Sequence, residues 1–164
     1  MIDQIAVAGG AAAFVLAAGG LLTTIGPWYR ALRKPSWQPP DWAFGPAWTL
    51  IMTLVAVGGV LGWRAFAGQS WREWLLALFT VNGILHVGWS VLFFRLRRPD
   101  WALAEVIPFW ITIAALISLL VQHSGLAALA LAPYIAWVSF AAVLNWTIVR
   151  LNGPFASKEE SASF

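Results

Sequence analysis

The chain of 164 residues contains no cysteine and very few charged residues. The absence of cysteine excludes disulfide bonds and thiolate metal sites. Only 10% of the residues are charged and 60% are hydrophobic, whereas about a quarter of the residues in a typical soluble domain are charged. This balance argues against a water-soluble fold.

Apolar runs that are almost free of charge recur along the chain. Each run is long enough to cross about 30 Å of hydrocarbon as a helix. Strands of a membrane barrel would alternate apolar and polar residues, whereas these runs are apolar on every side. The sequence predicts an all-α integral membrane protein, a single bundle of five transmembrane helices at about residues 5–25, 43–63, 74–94, 101–121 and 125–149.

The two ends of the chain need separate interpretations. A cleaved signal peptide is an alternative for the first run, but residues 1–4 lack Lys and Arg and the run exceeds a normal signal core. We therefore predict a retained helix and one transmembrane domain over residues 1–152. Residues 153–164, rich in Ser and Glu, are predicted to form a disordered tail.

The basic residues are distributed unevenly between the two sides of the predicted bundle. Two of them, Arg64 and Arg72, lie on one side. The other eight lie on the opposite side: Arg30, Arg33, Lys34, Arg95, Arg97, Arg98, Arg150 and Lys158. The positive-inside rule then predicts, for a bacterial cell membrane, a cytoplasmic first loop and C-terminus and an external N-terminus. Because these charges flank membrane spans, the net charge of +3 does not indicate nucleic-acid binding.

The first loop, residues 26–42, is rich in proline and aromatic residues. Its prolines fix φ and bias the preceding residues to extended backbone, so the loop should be stiff. They are Pro27, Pro35, Pro39 and Pro40, and the aromatic residues among them are Trp28, Tyr29, Trp37 and Trp42. The density of rings favours a cap over one end of the bundle. The alternative for each ring alone is a place in the lipid headgroup belt.

Small residues indicate where helices approach closely. The second helix carries Gly58 and Gly62 in a GxxxG pattern. The first carries a stripe of small residues at Gly9, Ala13, Ala17 and Gly20. We expect both sets to pack inside the bundle, with a homodimer seam as the alternative.

Polar residues inside the spans should face other helices. Asn82, His86 and Trp89 share one face of the third helix, where an interhelical hydrogen-bond pair and a ligand cavity are both open interpretations. Glu105 lies about one turn from the cytoplasmic boundary. Pairing of this carboxylate with Arg97 or Arg98 at headgroup level is favoured over a proton relay.

Several of these side chains are predicted to lie at similar depths in the membrane. Trp48, His86 and Trp89 fall in the cytoplasmic half of the bundle, with Asn82 and Trp137 near the middle. Aromatic walls, few polar groups and a stiff cap are typical of a site for a flat apolar ligand. The same rings could instead fill a solid core.

Three segments carry a family resemblance: WYRALRKPSWQPPDWAFGPAWTL, NGILHVGWSVLFF and PYIAWVSFAAVLNWTIVRLN. Together they resemble the TspO/MBR family, the tryptophan-rich sensory proteins related to the mitochondrial translocator protein or peripheral benzodiazepine receptor. The resemblance covers about Trp28 to Asn152. It implies a five-helix bundle, often a homodimer, that binds protoporphyrin or haem and in some members sterols and benzodiazepine-site ligands. It implies no required cofactor, and roles in transport, sensing or stress response.

The resemblance also implies site residues. In the family the first loop caps the cavity, and the matching tryptophans Trp48 and Trp137 line it. In some members the same pair is implicated in light- and oxygen-dependent porphyrin breakdown. The expected ligand-binding residues are Tyr29, Trp37, Trp48, Asn82, His86, Trp89, Trp137, Ala141 and Leu144, with Arg33 and Lys34 meeting the propionates or headgroups.

The chain departs from the family pattern at three places. Asn82 and His86 replace the usual glutamine and asparagine, and Ile51 replaces a tyrosine. His86 raises the hypothesis of an axial imidazole for haem iron, although the sequence favours a hydrogen-bonded core histidine, with no metal site. The sterol motif lacks its tyrosine, since Trp146 stands there, so a sterol-like lipid is weakly supported.

Three classes of function are consistent with these features. A porphyrin-binding receptor or transport protein ranks first. An enzyme that promotes porphyrin degradation through Trp48 and Trp137 ranks second. The sequence shows no catalytic triad, metal cluster or phosphate-binding loop that would support another reaction. A purely structural assembly protein ranks third.

Overall fold

The computed structural model describes residues 2–155, and this part of the chain is helical without strands. The helices are α1 (Ile2–Leu22), α2 (Pro27–Ala31), α3 (Asp41–Ala65), α4 (Trp71–Ser90), a π-helical turn (Val91–Arg95), α5 (Pro99–Val121) and α6 (Gly125–Asn152). Within the described residues, α1, α3, α4 with its π-helical turn, α5 and α6 are long and apolar enough to cross a membrane. The predicted fold class is confirmed. The greater part of the predicted tail, residues 156–164, lies outside the described residues.

Local sequence explains where several helices begin. α3 follows Pro40, whose extended backbone precedes the first helical turn. α5 begins with Pro99, which lacks the N–H that a first helical residue would leave without a partner. The side chain of Ser124 caps α6 by accepting a hydrogen bond from the Ala127 N–H at 3.2 Å.

The predicted first loop contains a short helix. α2 begins at Pro27, where proline is favoured, and places Tyr29 in a buried position. The remaining residues, 32–40, are irregular and lead into α3. We call residues 26–42 the cap.

The membrane-length helices form a closed ring. Going round it, α1 packs on α3, α3 on α6, α6 on α5, α5 on α4, and α4 on α1. The buried core has three clusters along the bundle. The cluster at the end far from the cap includes Phe66 and Leu120, the middle one includes Ile113 and Tyr134, and the third joins Tyr29 to α5 and α6.

Gly58 and Gly62 of α3 pack inside the bundle, as expected. A Cβ atom added at Gly58 would lie 2.4 Å from Leu131 Cδ1, and one at Gly62 would lie 2.4 Å from Leu120 Cδ2. These contacts join α3 to α6 and α5. The absence of side chains is therefore what allows the helices to approach.

The expected inward packing of the stripe on α1 is wrong. Gly9, Ala13 and Ala17 are exposed, and a Cβ added at Gly9 would meet nothing within 4 Å. α1 instead turns its neighbouring face inward, with Ala12, Val15 and Leu16 against the middle cluster. Small and apolar residues cover α1 on all sides, so spacing alone did not distinguish the two faces.

The expected pairing of Glu105 with Arg97 or Arg98 is also wrong. Arg98 immediately precedes α5 and forms an ion pair with Asp100, only two residues away in the first turn of the same helix. Both carboxylate oxygens of Glu105 are buried without a partner among the described residues. They lie beside α4, where a Cβ added at Gly88 would be 3.9 Å from Glu105 Oε1.

Candidate functional site

A cavity of about 430 Å³ lies inside the ring of helices beneath the cap. α1, α3, α4, α5 and α6 all contribute to its walls, and its lining is mainly apolar and aromatic. Its volume falls within the range of typical small-molecule sites. The rings therefore surround a space and do not fill a solid core.

Aromatic rings from separate helices meet edge to face at the cavity wall. Trp48 of α3 and Trp137 of α6 have ring centroids 6.4 Å apart at an interplanar angle of 83°. Trp48 also meets His86 of α4 at 4.5 Å and 78°. Trp89, by contrast, stacks on Phe93 of the following π-helical turn, with ring centroids 5.1 Å apart at an interplanar angle of 26°. The edge-to-face contacts of Trp48 stabilise the rings that line the cavity.

Tyr29 connects the cap to the cavity. Its side chain is 7% exposed and forms part of the cavity lining. The phenol oxygen lies 3.3 Å from Asp41 Oδ1, to which it donates, and accepts a 3.3 Å bond from Gln38 Nε2. Burial, and secondly the negative charge of Asp41, raises the pKa of Tyr29 to about 12. Tyr29 therefore remains a neutral hydrogen-bond donor at physiological pH.

The cap is tied to the end of α6 and to itself. The Arg33 N–H donates to Asn152 Oδ1 at 2.7 Å, and Asn152 Nδ2 donates to the Arg33 carbonyl oxygen at 2.8 Å. Lys34 Nζ donates to the Tyr29 carbonyl oxygen at 2.6 Å and lies 4.2 Å from the centre of the Tyr29 ring. These contacts fasten the cap to the bundle, and its stiffness stays a prediction.

Hydrogen bonds between α4, α5 and α6 form a polar floor beneath the cavity. Asn82 Nδ2 donates to Thr112 Oγ1 at 2.9 Å, and the Tyr134 hydroxyl donates to Asn82 Oδ1 at 2.9 Å. The Tyr134 oxygen also lies 3.5 Å from Nδ1 of His86. Asn82, His86 and Tyr134 are buried. We call Asn82, His86, Thr112 and Tyr134 the polar floor.

A second cavity of about 870 Å³ lies on the far side of this floor. It runs between α1, α3 and α4, and its lining includes Asn82 and Tyr134 but neither Trp48 nor Trp137. The polar floor therefore separates two spaces of different character, and the tryptophan-walled space is the one beneath the cap.

The structure brings most of the predicted ligand-binding residues to one cavity. Those in its lining are Tyr29, Trp48, His86, Trp89, Trp137, Ala141 and Leu144. Trp37 is 47% exposed and packs on Phe140 at 5.8 Å outside the lining. Asn82 belongs to the floor, while Arg33 and Lys34 belong to the cap. Their predicted contacts with a ligand stay predictions.

Sequence reasoning did not identify several residues of the lining. Ser90 follows His86 by one helical turn and shares its face, a spacing that could have pointed to it. Gly19 and Phe109 had no such signal, because they reach the cavity only through the way α1 and α5 pack. Asn145 is buried in the wall, where its amide can donate to the Pro99 carbonyl oxygen at 3.0 Å and accept from the Leu103 N–H at 3.1 Å.

Two further features limit the chemistry of the site. Among the described residues, no three His, Asp or Glu side chains lie close enough together to hold a metal ion by themselves. The indole N–H of Trp137 is buried and has no hydrogen-bond partner in the described part of the chain. An unsatisfied donor beside a cavity is typical of a site whose partner arrives with a ligand.

Comparison with known proteins agrees with this architecture. Residues 6–151 match the model of the TspO/MBR family. The tryptophan-rich protein TspO of Chlorobaculum tepidum is 37% identical over 131 residues, covering 76% of this chain and 79% of its own. The human translocator protein is 36% identical over 126 residues, covering 76% and 75%. The tryptophan-rich sensory protein of Cereibacter sphaeroides is 32% identical over 134 residues, covering 81% and 82%.

Proposed function

The chain belongs to the TspO/MBR family of membrane proteins, and from this premise we propose that its tryptophan-walled cavity binds a porphyrin, either protoporphyrin or haem. The protein would act as a receptor or transport protein in tetrapyrrole regulation or stress response. The observation that carries the proposal is the cavity itself, with Trp48, His86 and Trp137 around one space.

The chemistry of the cavity suits a planar, largely apolar guest. Indole and phenyl faces offer stacking area to a conjugated ring, and a few polar groups can orient it. Trp89 and Trp137 supply faces from α4 and α6, while His86 and Ser90 supply polar atoms from one side. The carboxylates of a porphyrin would lie towards the cap, where Arg33 and Lys34 provide positive charge.

We also propose an orientation for the bundle. The cap, the segment before α5 and the end of α6 together carry most of the basic residues, and the facing ends of α3 and α4 carry Arg64 and Arg72. The positive-inside rule then directs the cap to the cytoplasm of a bacterial cell membrane. The porphyrin site, which lies beneath the cap, would then be at the cytoplasmic end of the bundle.

A titration of purified protein in detergent with protoporphyrin tests the proposal. Binding should quench tryptophan fluorescence to saturation, and Trp137→Ala should weaken the affinity about tenfold because a stacking face is lost. Trp146→Ala is the matched control, since that tryptophan also belongs to α6 but is 48% exposed and lies outside the cavity lining. Its affinity should stay within twofold of the wild type.

Two results would overturn the proposal. One is an absence of saturable quenching in the wild type. The other is equal affinity in the Trp137→Ala and wild-type proteins.

The enzymatic alternative depends on the same pair of rings. Trp48 and Trp137 both line the cavity, in contact with each other, so both could lie beside a photoexcited porphyrin. Illumination of the complex in the presence of oxygen separates the two functions. A new open-chain product that requires both rings favours catalysis, whereas bleaching at the rate of free porphyrin favours binding alone.

A further inference from the structure

The second cavity, of about 870 Å³, runs along the half of the bundle that lies away from the cap. Its lining extends from Asp3 to Val15 on α1 and from Leu75 to Val87 on α4. At about 1.5 Å per helical residue, each stretch is roughly 18 Å long. Because the hydrocarbon core of a membrane is about 30 Å thick, a cavity of this length reaches from one membrane surface to about the middle. It therefore has the depth of a single lipid leaflet.

The walls of this cavity are mostly small and apolar. Alanine and valine are the commonest residues of the lining, for example Ala8, Val15 and Ala56. Polar side chains lie mainly at its two ends, and at the inner end Asn82 and Tyr134 are already hydrogen-bonded to each other. A buried water needs two to four polar partners, which the middle of the cavity does not offer. The space therefore suits a narrow hydrocarbon chain better than water or a polar solute.

The cavity is continuous with the surrounding hydrocarbon between α1 and α4. Phe14 of α1 and Ile84 of α4 border the cavity, and both side chains are exposed on the outer surface of the bundle. The two helices are in closer contact nearer the cap, where a Cβ added at Gly19 would lie 3.4 Å from His86 Nε2. A chain of a membrane lipid can therefore enter from the side without crossing a polar surface.

Two arginines stand at the end of the cavity far from the polar floor. Gln4 and Trp63 line this end, which we call the mouth. Arg64 Nε donates to Gln4 Oε1 at 3.4 Å. Arg72 Nε donates to the Trp63 carbonyl oxygen at 3.0 Å, and the guanidinium lies 4.5 Å from the centre of the Trp63 ring.

The hydrogen bonds at the mouth leave most of the guanidinium donors available. They use only the Nε–H groups of Arg64 and Arg72, and neither side chain forms an ion pair with a described residue. The terminal N–H groups can therefore bind an anion, and the planar guanidinium matches the geometry of a phosphate.

We propose that this cavity binds one acyl chain of a phospholipid, with the phosphate of that lipid bound by Arg64 and Arg72 at the mouth. The site is separate from the tryptophan-walled cavity and does not depend on the proposed porphyrin function. Asp3 also lines the mouth, and its carboxylate can pair with the ammonium group of an ethanolamine headgroup. The second acyl chain of the lipid stays in the bilayer, beside the exposed Phe14 and Ile84.

A titration of purified protein in detergent with dioleoyl phosphatidylethanolamine, followed by native mass spectrometry, tests the inference. The wild type should bind one lipid per chain saturably. Ala8→Phe should weaken this binding at least tenfold, because the larger side chain occupies the cavity. Ala13→Phe is the matched control, since Ala13 is exposed on the same helix and lies outside the lining of both cavities. Its lipid affinity should stay within twofold of the wild type.

The phosphate contact has a test of its own. The double variant Arg64→Gln, Arg72→Gln should bind the phospholipid at least tenfold more weakly than the wild type. Dioleoylglycerol, which has the same chains and no phosphate, should bind the wild type at least tenfold more weakly than the phospholipid. Arg150→Gln is the matched control, because Arg150 also lies over a tryptophan, 5.0 Å from the ring centre of Trp146, at the opposite end of the bundle. It should leave lipid binding unchanged.

A second filling variant keeps the test decisive if Ala8→Phe folds poorly. Ala56→Phe fills the same cavity from α3 and should also weaken binding at least tenfold. The inference is overturned if the wild type shows no saturable lipid, or if the filling variants bind lipid as the wild type does. It is also overturned if the double arginine variant keeps the wild-type affinity or if dioleoylglycerol binds as tightly as the phospholipid. A wild type that binds the phospholipid but no porphyrin would defeat only the proposed porphyrin site.

Discussion

Tyr29 shows how one side chain couples the cap to the cavity. Its backbone carbonyl accepts a hydrogen bond from Lys34, and its hydroxyl is hydrogen-bonded to Asp41 and Gln38. Its ring lines the cavity. The cap has no other buried aromatic side chain, because Trp28, Trp37 and Trp42 all keep part of their surface exposed. The protonation state of Tyr29 therefore reports on the burial of this ring by the cap.

We expect Tyr29 to titrate near pH 12, not near 10. Its folded pKa lies above the ordinary value of 10.0, so its contribution to folding stability is fully present below pH 10. That contribution is lost as the pH rises from 10 through 12. The phenolate absorbance of the wild type minus that of Tyr29→Phe gives the midpoint.

Asp41→Asn provides the internal check on the cause. Removing this negative charge should lower the Tyr29 midpoint, because the charge opposes formation of the phenolate. A midpoint near 10 in the wild type would mean that Tyr29 is not buried by the cap in solution.

The close packing of α3 against its neighbours depends on two glycines, which have no side chain. Gly58 faces α6, and Gly62 faces both α5 and α4. The contact at Gly58 includes a backbone atom, the carbonyl oxygen of Ala127, at 3.1 Å from an added Cβ. Backbone cannot rotate aside as a side chain can, so this position should tolerate no enlargement.

Gly58→Ala should lower the free energy of unfolding by about 2 kcal/mol through overpacking. The matched control is Gly9→Ala, where an added Cβ meets nothing within 4 Å. Both substitutions replace glycine by alanine within a helix and gain the same helix propensity. The difference between their free energies of unfolding therefore measures the cost of the clash at Gly58. Unfolding in mixed detergent, followed by circular dichroism, measures both. Equal stability of the two variants would contradict the α3–α6 contact.

For the molecule as a whole, the distribution of charge predicts how the bundle sits in the membrane. The cap, the loop before α5 and the end of α6 carry most of the Lys and Arg residues at one end. The opposite end carries two, in or beside the connection between α3 and α4. Retention of basic loops on the cytoplasmic side is the physical basis of the proposed orientation.

The cysteine-free chain makes this orientation simple to measure. Ser36 in the cap and Gln69 in the α3–α4 connection are both exposed. A single cysteine introduced at either position is therefore accessible to a thiol label, and the chain has no native thiol that would also react. A membrane-impermeant maleimide should label Gln69→Cys in intact bacterial cells. It should reach Ser36→Cys only after the membrane is opened. The reverse pattern would invert the proposed orientation and place the porphyrin site on the outside.

The number and approximate span of the transmembrane helices could be read from the sequence. Hydrophobicity over about twenty residues is a local property, and no partner is needed to recognise it. The position of the cap also followed from local chemistry, because prolines fix the backbone wherever they occur. The family motifs further indicated that Trp48 and Trp137 would share one site.

Other features depended on how the helices pack against one another. The inward face of α1 is a choice between two similar faces, and the separation of Asn82 from the cavity depends on Thr112, a residue distant in sequence. The clearest case is His86, for which the sequence favoured a core hydrogen bond without indicating its partner. Thr112 and Tyr134, from two other helices, join Asn82 and His86 in one hydrogen-bonded group at the cavity floor. A hydrogen-bonded group of this kind is a property of the assembled bundle, so it arises only when the three helices come together.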